Sequence, residues 1–179
     1  MVFPNSGPID SGAFDALEFA RSGRVLEGET PVAAFARLCE GLPAPQGGTI
    51  AWRLAGRADG QGNAWLDLRA RGPVRVTCQR CLEPFELALD VANSLRLLRT
   101  RAELEAMDAL EASGQGGDEE YLVAEGRLDA SGLVEDELIL AVPYAPMHET
   151  CPGGGAAGGG DPDPGRPSPF AALERLKKH

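Results

Sequence analysis

The stretch that decides the fold reads Val74-Arg75-Val76-Thr77-Cys78-Gln79-Arg80-Cys81-Leu82-Glu83-Pro84-Phe85. Its first four residues alternate apolar and polar side chains, which is the period-two pattern of a half-buried strand. A second alternating run begins at Phe85, and a Cys-x-x-Cys pair stands between the two runs. The stretch therefore predicts two antiparallel strands joined by a tight turn that carries both cysteines.

The same alternation extends to both sides of this stretch. Apolar residues occupy every second position at residues 50–55, 66–71, 74–78, 85–91 and 95–97. Gly72-Pro73, between the second and third runs, is expected to interrupt the strand pattern there. The series predicts an α+β fold in which an antiparallel β-meander, with one buried face and one arginine-rich face, is flanked by a few helices. Strands of this kind can also close into a barrel, and the sequence leaves closure open.

Spacing and capping residues predict helices at residues 9–21, 30–40 and 129–142, and residues 100–112 are either a helix or a mobile excursion. In the second helix, Pro31 follows the cap at the first helical position, where its missing N–H costs nothing. The candidate N-caps are Asp10 or Ser11 for the first helix, Thr30 for the second, and Asp129 or Ser131 for the last. Short strands are expected at 24–28, 121–123 and 127–128.

Composition divides the chain into four parts. An N-terminal helical segment takes residues 1–23, and an α+β domain takes residues 24–151. A disordered Gly/Pro linker takes residues 152–169, because such low-complexity sequence cannot form a packed core. Residues 170–179 are expected to form a short amphipathic helix that docks on this domain or on a partner. Its docking candidates are Phe170, Leu173 and Leu176.

Charge and composition exclude several kinds of partner. The 179 residues are 43% hydrophobic and carry a net charge of −10, so the chain as a whole is repelled by DNA and by anionic membranes. Residues 50–101 hold nine arginines and five acids, whereas residues 102–151 hold thirteen acids and one arginine. We expect the acids of residues 102–137 to form a solvated face. The N-terminal residues lack the pattern of a signal peptide, which predicts a cytoplasmic protein.

The spacing of cysteine and histidine residues points to a metal site. Cys78-x-x-Cys81 is separated by 66 residues from a second pair, His148-x-x-Cys151. Thiolates and imidazole in this number and local spacing suit tetrahedral Zn²⁺. Two alternatives stay open, namely reduced cysteines of incidental role and redox exchange at the first pair, although redox pairs of the thioredoxin type precede a helix. Cys39 lies on an apolar helical stripe and is expected to be buried and inert.

No other set of catalytic residues is recognisable in the sequence. The two histidines are His148 and the last residue, His179, and the sequence offers no Ser-His-acid arrangement to propose. The glycine run at 153–160 lacks the lysine and the strand-to-helix context of a phosphate loop. We therefore predict that the protein is not an enzyme.

Four segments resemble the bacterial YceD family, the large ribosomal RNA subunit accumulation proteins. Residues 76–84 are similar to the cysteine signature of that family, and residues 128–143 to its acidic-then-aliphatic helix that ends in proline. Residues 146–151 are similar to its histidine-cysteine ending. Residues 169–177 resemble its terminal motif, with Ser168 in the place where asparagine is more usual.

The resemblance implies a ribosome biogenesis factor that supports the synthesis, processing or stability of the 23S rRNA of the large ribosomal subunit. Its partner would be 23S rRNA, or a basic ribosomal protein or assembly factor, and the acidic composition favours the protein. Direct RNA contact should use arginines of the predicted sheet and turn, namely Arg53, Arg69, Arg71, Arg75, Arg80, Arg96 and Arg99. The alternatives are a Cys-x-x-Cys thiol-disulfide oxidoreductase, and a zinc-stabilised protein-interaction module without an rRNA role.

Overall fold

Five strands form one open sheet in the computed structural model, which describes residues 13–117 and 119–152. The strands are β1 (Val25–Pro31), β2 (Thr49–Ala58), β3 (Ala64–Thr77), β4 (Pro84–Leu98) and β5 (Glu120–Val123). They lie in chain order across the sheet; β1 to β4 pair antiparallel, and β5 is parallel to β4. The predicted α+β meander is confirmed, and over these residues the sheet does not close into a barrel.

The helical segments are α1 (Ala16–Arg21), a 3₁₀ turn (Val32–Ala34), α2 (Ala36–Glu40), α3 (Arg101–Ala112) and α4 (Ala130–Ala141). The side chains of Asp15, Thr100 and Asp129 cap α1, α3 and α4 by accepting hydrogen bonds from backbone N–H groups of the first turn. Helix α1 starts later than predicted, because Phe14 pairs with Leu128 in an antiparallel bridge. The expected caps at positions 10 and 11 lie outside the described residues.

The prediction that a helix starts at Thr30 is wrong. Thr30 and Pro31 instead end strand β1, where they pair with β2. Thr30 is buried, and its Oγ1 accepts a hydrogen bond of 3.0 Å from Nε1 of Trp52. An unpaired indole N–H in the core would be costly, so this long-range bond outweighs the local capping signal.

Gly72 and Pro73 do not interrupt the sheet, contrary to the prediction. Strand β3 runs through both residues and stays paired with β4, while its pairing with β2 ends at Arg71. Beyond that point the side chain of Gln46 covers the free edge: it accepts from the N–H of Arg75 at 3.0 Å and donates to the carbonyl of Arg75 at 2.9 Å. In a strand, the backbone N positions of residues 73 and 75 face the same edge. The missing N–H of Pro73 therefore falls on the edge of β3 that β2 no longer pairs with, and no strand hydrogen bond is lost.

The core lies between one face of the sheet and helices α1, α2 and α4. Its large fully buried side chains include Phe19, Phe35, Ile50, Leu54, Leu66, Leu68 and Leu138. Helix α1 packs directly on the backbone of β2 at Gly56. A Cβ atom at Gly56 would lie only 2.5 Å from the carbonyl oxygen of Phe19, so this close approach requires glycine.

Glu135 connects α4 to α2 inside the protein, although the sequence placed it on a solvated acidic face. Only 8% of its surface is exposed. Its carboxylate accepts hydrogen bonds from the backbone N–H groups of Arg37 and Leu38, at 2.7 Å and 3.2 Å, and from Nε of Arg37 at 3.0 Å. Glu135 therefore caps the N-terminus of α2, which has no side-chain cap of its own.

Apart from Pro152, the predicted linker and C-terminal helix lie outside the described residues, as do Phe170, Leu173 and Leu176. The division into four parts thus stays a prediction. None of the helices in residues 13–117 and 119–152 has the length and apolar character needed to cross a membrane.

Candidate metal centre

The first cysteine pair lies on the turn between β3 and β4. Cys78 follows the last residue of β3, and its N–H donates to the carbonyl of Glu83 at 3.0 Å. The N–H of Leu82 donates back to the carbonyl of Cys78 at 2.9 Å. Leu82 has a φ of +64°, in the left-handed region that favours glycine, and at this residue the chain turns back toward β4.

The second pair reaches this turn from the other end of the fold. Helix α4 ends at Ala141, and the chain then runs without helix or strand to Cys151. A backbone bond of 2.8 Å from Gln79 N–H to the carbonyl of Pro146 fixes this loop against the turn. The ring of His148 packs on Phe85 with their centroids 4.4 Å apart. These contacts bring residues that are far apart in sequence to one place.

The four side chains lie close enough together to share one metal ion. Sγ of Cys78 and Sγ of Cys151 are 3.8 Å apart, and Sγ of Cys81 lies 3.3 Å from Nδ1 of His148. All four ligand atoms lie within 4.8 Å of one another. Zinc bound at about 2.3 Å from each sulfur would hold two sulfurs roughly 3.8 Å apart. The donor set therefore fits Zn²⁺ in both chemistry and spacing.

Unequal ionisation of the thiols is a second property of the cluster. Burial opposes ionisation of Cys78, but backbone N–H groups of Cys81, His148 and Arg80 outweigh it and lower the pKa of Cys78 to about 5. The N–H of Glu83 favours the thiolate of Cys81, yet burial and the neighbouring thiols raise the pKa of Cys81. One thiolate thus disfavours the next, which is a repulsion that a bound cation relieves.

The arrangement is typical of a structural metal site. It offers four protein ligands, whereas a catalytic zinc keeps one position open for water or substrate. Cys78 is fully buried, and the other three residues are partly buried. Cys39 lies apart on α2, half-buried rather than buried as expected, and its Sγ contacts the carbonyl of Val32 at 3.4 Å. Burial and, second, the charge of Glu135 raise the pKa of Cys39.

The structure separates the predicted RNA-contact arginines into two groups. Arg80 is bound to the cluster, and Arg96 donates to Glu119 at 2.7 Å and to Asn63 at 2.9 Å. The alternation of β3 places the side chains of Arg69, Arg71 and Arg75 on the outer face of the sheet. Arg99 follows β4 and is exposed.

Sequence reasoning missed two residues that shape the site. The sequence predicts that Arg80 contacts RNA, although its position between two cysteines places it within reach of any ligand pair that approaches the turn. It predicts Phe85 only as a strand residue, and nothing in the local sequence indicates that Phe85 packs on His148. The contact of Arg80 could have been predicted from its place between the two cysteines, whereas the contact of Phe85 with His148 depends on tertiary structure alone.

A comparison with protein families gives one match. The model described as "Large ribosomal RNA subunit accumulation protein YceD" matches residues 66–177, which include the whole cluster, all but the first two residues of β3, and strands β4 and β5. No solved structure matches the chain.

Proposed function

Because the chain belongs to the YceD family of large ribosomal RNA subunit accumulation proteins, we propose that it is a non-enzymatic factor that supports the synthesis, processing or stability of 23S rRNA. The family match is the observation that carries this proposal. A cluster that uses all four of its ligand positions supports a structural rather than a catalytic role for the cysteines. Such a factor works in the cytoplasm, where ribosomes assemble.

We further propose that Cys78, Cys81, His148 and Cys151 hold one structural Zn²⁺. The ion would connect the loop after α4 to the β3–β4 turn, two parts of the domain that are far apart in the sequence. The oxidoreductase alternative is disfavoured by position, because β4 rather than a helix follows the cysteine turn. A reactive cysteine also needs access to its substrate, whereas Cys78 is fully buried.

Depletion of the protein from cells is the direct test of its role. We expect the ratio of 23S to 16S rRNA to fall and precursors of the large subunit to accumulate, because the family acts on large-subunit rRNA. Total RNA on a denaturing gel and sucrose-gradient profiles measure both. An unchanged ratio with normal subunit profiles would reject the proposal.

For the contact with rRNA we propose an arginine face, defined as Arg53, Arg69 and Arg71 on the outer side of β2 and β3. Arg53 pairs directly opposite Arg69, and Ala92 of β4 lies on the other side of Arg69. Arg53 and Arg69, but not Arg71, border a shallow depression of about 510 Å³, which Arg57 and Asp67 also line. Like charges placed opposite each other are unfavourable, and a bound phosphate would relieve the repulsion.

Nearby acids offset the charges of several of these arginines. Arg75 lies across from Glu86 and Arg71 across from Asp90, so nearby acids partly offset both charges. Arg53 itself forms an ion pair with Glu27 at 2.6 Å. Arg69 has no such partner among the ion pairs of the described residues. The docking role of Phe170, Leu173 and Leu176 stays a prediction.

Removing two charges from the arginine face should weaken binding to rRNA. We expect Arg69→Ala/Arg71→Ala to lower the affinity for a 23S rRNA fragment about tenfold and to reduce the slope of log K against log salt by roughly 1.5. Fluorescence anisotropy across a potassium chloride series measures both. The control is Arg21→Ala/Arg101→Ala, which removes the same charge from two exposed helix positions.

Two results would contradict direct contact through this face. Equal losses in both double variants would show that only net charge matters. If the unaltered chain fails to bind rRNA but binds a basic ribosomal protein, the acidic half of the chain makes the contact instead.

A further inference from the structure

Arg80 links the two ligand pairs of the cluster. It stands between Cys78 and Cys81 in the sequence, yet its side chain reaches the second pair. Its Nε donates to Sγ of Cys151 at 3.0 Å, and its Nη2 donates to the carbonyl of His148 at 2.9 Å. One planar guanidinium thus contacts both residues of the second pair, with the two-armed geometry that distinguishes arginine from lysine.

The loop that carries the second pair has few other attachments. It follows α4 without regular structure, so no ladder of backbone bonds holds it. In the described part of the chain, the contacts between this loop and the turn include the Gln79–Pro146 backbone bond and the packing of His148 on Phe85. Neither of these touches Cys151. The sulfur of Cys151 has two neighbours in the turn: Nε of Arg80, which donates a hydrogen bond at 3.0 Å, and Sγ of Cys78 at 3.8 Å.

The charge of a filled site gives Arg80 a second effect. Three thiolates and a neutral imidazole around a dication leave a net charge of −1. The guanidinium adds one positive charge in direct contact with a sulfur, which makes the assembly neutral. Hydrogen bonds from a charged donor to a ligand atom are among the stronger outer contacts of metal sites, and their removal typically weakens metal binding 10- to 100-fold.

We propose that Arg80 is a positioning residue of the metal centre, which holds His148 and Cys151 in place for the ion and neutralises the three-thiolate site. The proposal rests on the zinc site proposed above. It also makes Arg80 a weaker candidate for RNA contact, because the donor on Nε and one donor on Nη2 are already used within the protein.

The test measures metal binding by the full chain. We expect Arg80→Ala to bind one zinc per chain at saturation but with an affinity 10- to 100-fold weaker, measured by competition with a chromophoric chelator. With Co²⁺ as the probe, loss of the N–H···S bond should shift the sulfur-to-cobalt charge-transfer band to lower energy. Arg75→Ala, three residues before Cys78 on the outer face of β3, should change neither quantity.

The lysine variant separates geometry from charge. Arg80→Lys keeps the positive charge but not the two-armed contact, so it should recover only part of the lost affinity; full recovery would overturn the positioning role. Equal affinity and equal cobalt spectra in Arg80→Ala and Arg75→Ala would overturn the proposal while the zinc site stands. If the unaltered chain binds neither metal, the zinc proposal fails and this one fails with it.

Discussion

Replacing Cys81 with serine is expected to abolish zinc binding and to lower the midpoint of thermal unfolding by about 10 °C. The ion binds only the folded chain, so it stabilises that state by about 4 kcal/mol when zinc exceeds its dissociation constant a thousandfold. For a domain of this size, 1 kcal/mol corresponds to roughly 2–4 °C. Serine has nearly the size of cysteine, but its hydroxyl does not ionise to a ligand that zinc prefers.

Metal analysis of protein purified without chelator provides the first measurement. The unaltered chain should carry about one zinc, because a four-ligand site accepts one ion. Cys39→Ser is the matched control, since Cys39 lies on α2 outside the cluster and a serine there can still bond to the carbonyl of Val32. It should retain the metal. Less than about a tenth of an equivalent of zinc in the unaltered chain would reject the site.

A chelator provides the second measurement. Removing the ion from the unaltered chain should lower its unfolding midpoint to that of Cys81→Ser, while the serine variant should not respond. The sheet and its core remain in both cases, because residues such as Leu54, Leu66 and Leu138 are buried without help from the cluster. A chelator effect of equal size on both proteins would show that the ion stabilises some other part of the chain.

Much of the fold could be predicted because period-two alternation is a local property with a global consequence. The alternating runs around Trp52, Leu66 and Val76 can place all their apolar side chains on one buried face only if they are strands. The short turns between the runs then make neighbouring strands antiparallel. The metal cluster could be proposed for a similar reason. Two-residue spacers already place ligands in pairs, so tertiary structure has only to bring two pairs together.

What could not be predicted depends on bonds between distant residues. The cap sequence at Thr30 is a sound local signal, but the hydroxyl is needed by Trp52. Pro73 breaks most strands, but here it faces an edge covered by Gln46 rather than by a strand. From the sequence, Glu135 is one of several acids in the first turns of a helix. Its role as a cap depends on the N-terminus of α2, which only the tertiary structure places beside it. In each case a partner about 20 to 100 residues away decides the outcome.

Replacing Glu135 with alanine is expected to destabilise the fold by about 3 kcal/mol. The change leaves two N–H groups at the start of α2 without an acceptor and removes one of the two carboxylates that pair with Arg37. Breaking a buried ion pair costs roughly 3–5 kcal/mol. Arg37 is half exposed, so water can solvate its charge and the lower end of that range applies. Urea denaturation at neutral pH measures the difference in the free energy of unfolding.

The neighbouring acid offers a matched control for this prediction. Asp136 also forms an ion pair with Arg37, but its side chain is 53% exposed and it does not cap α2. Because exposed ion pairs contribute at most about 1 kcal/mol, Asp136→Ala should cost far less than Glu135→Ala. Comparable losses in both variants would mean that the ion pair with Arg37, rather than the cap on α2, is what holds α4 in place. The cap explanation would then be wrong. Helix α4 leads into the loop of His148 and Cys151, so Glu135→Ala should also weaken zinc binding, whereas Asp136→Ala should not.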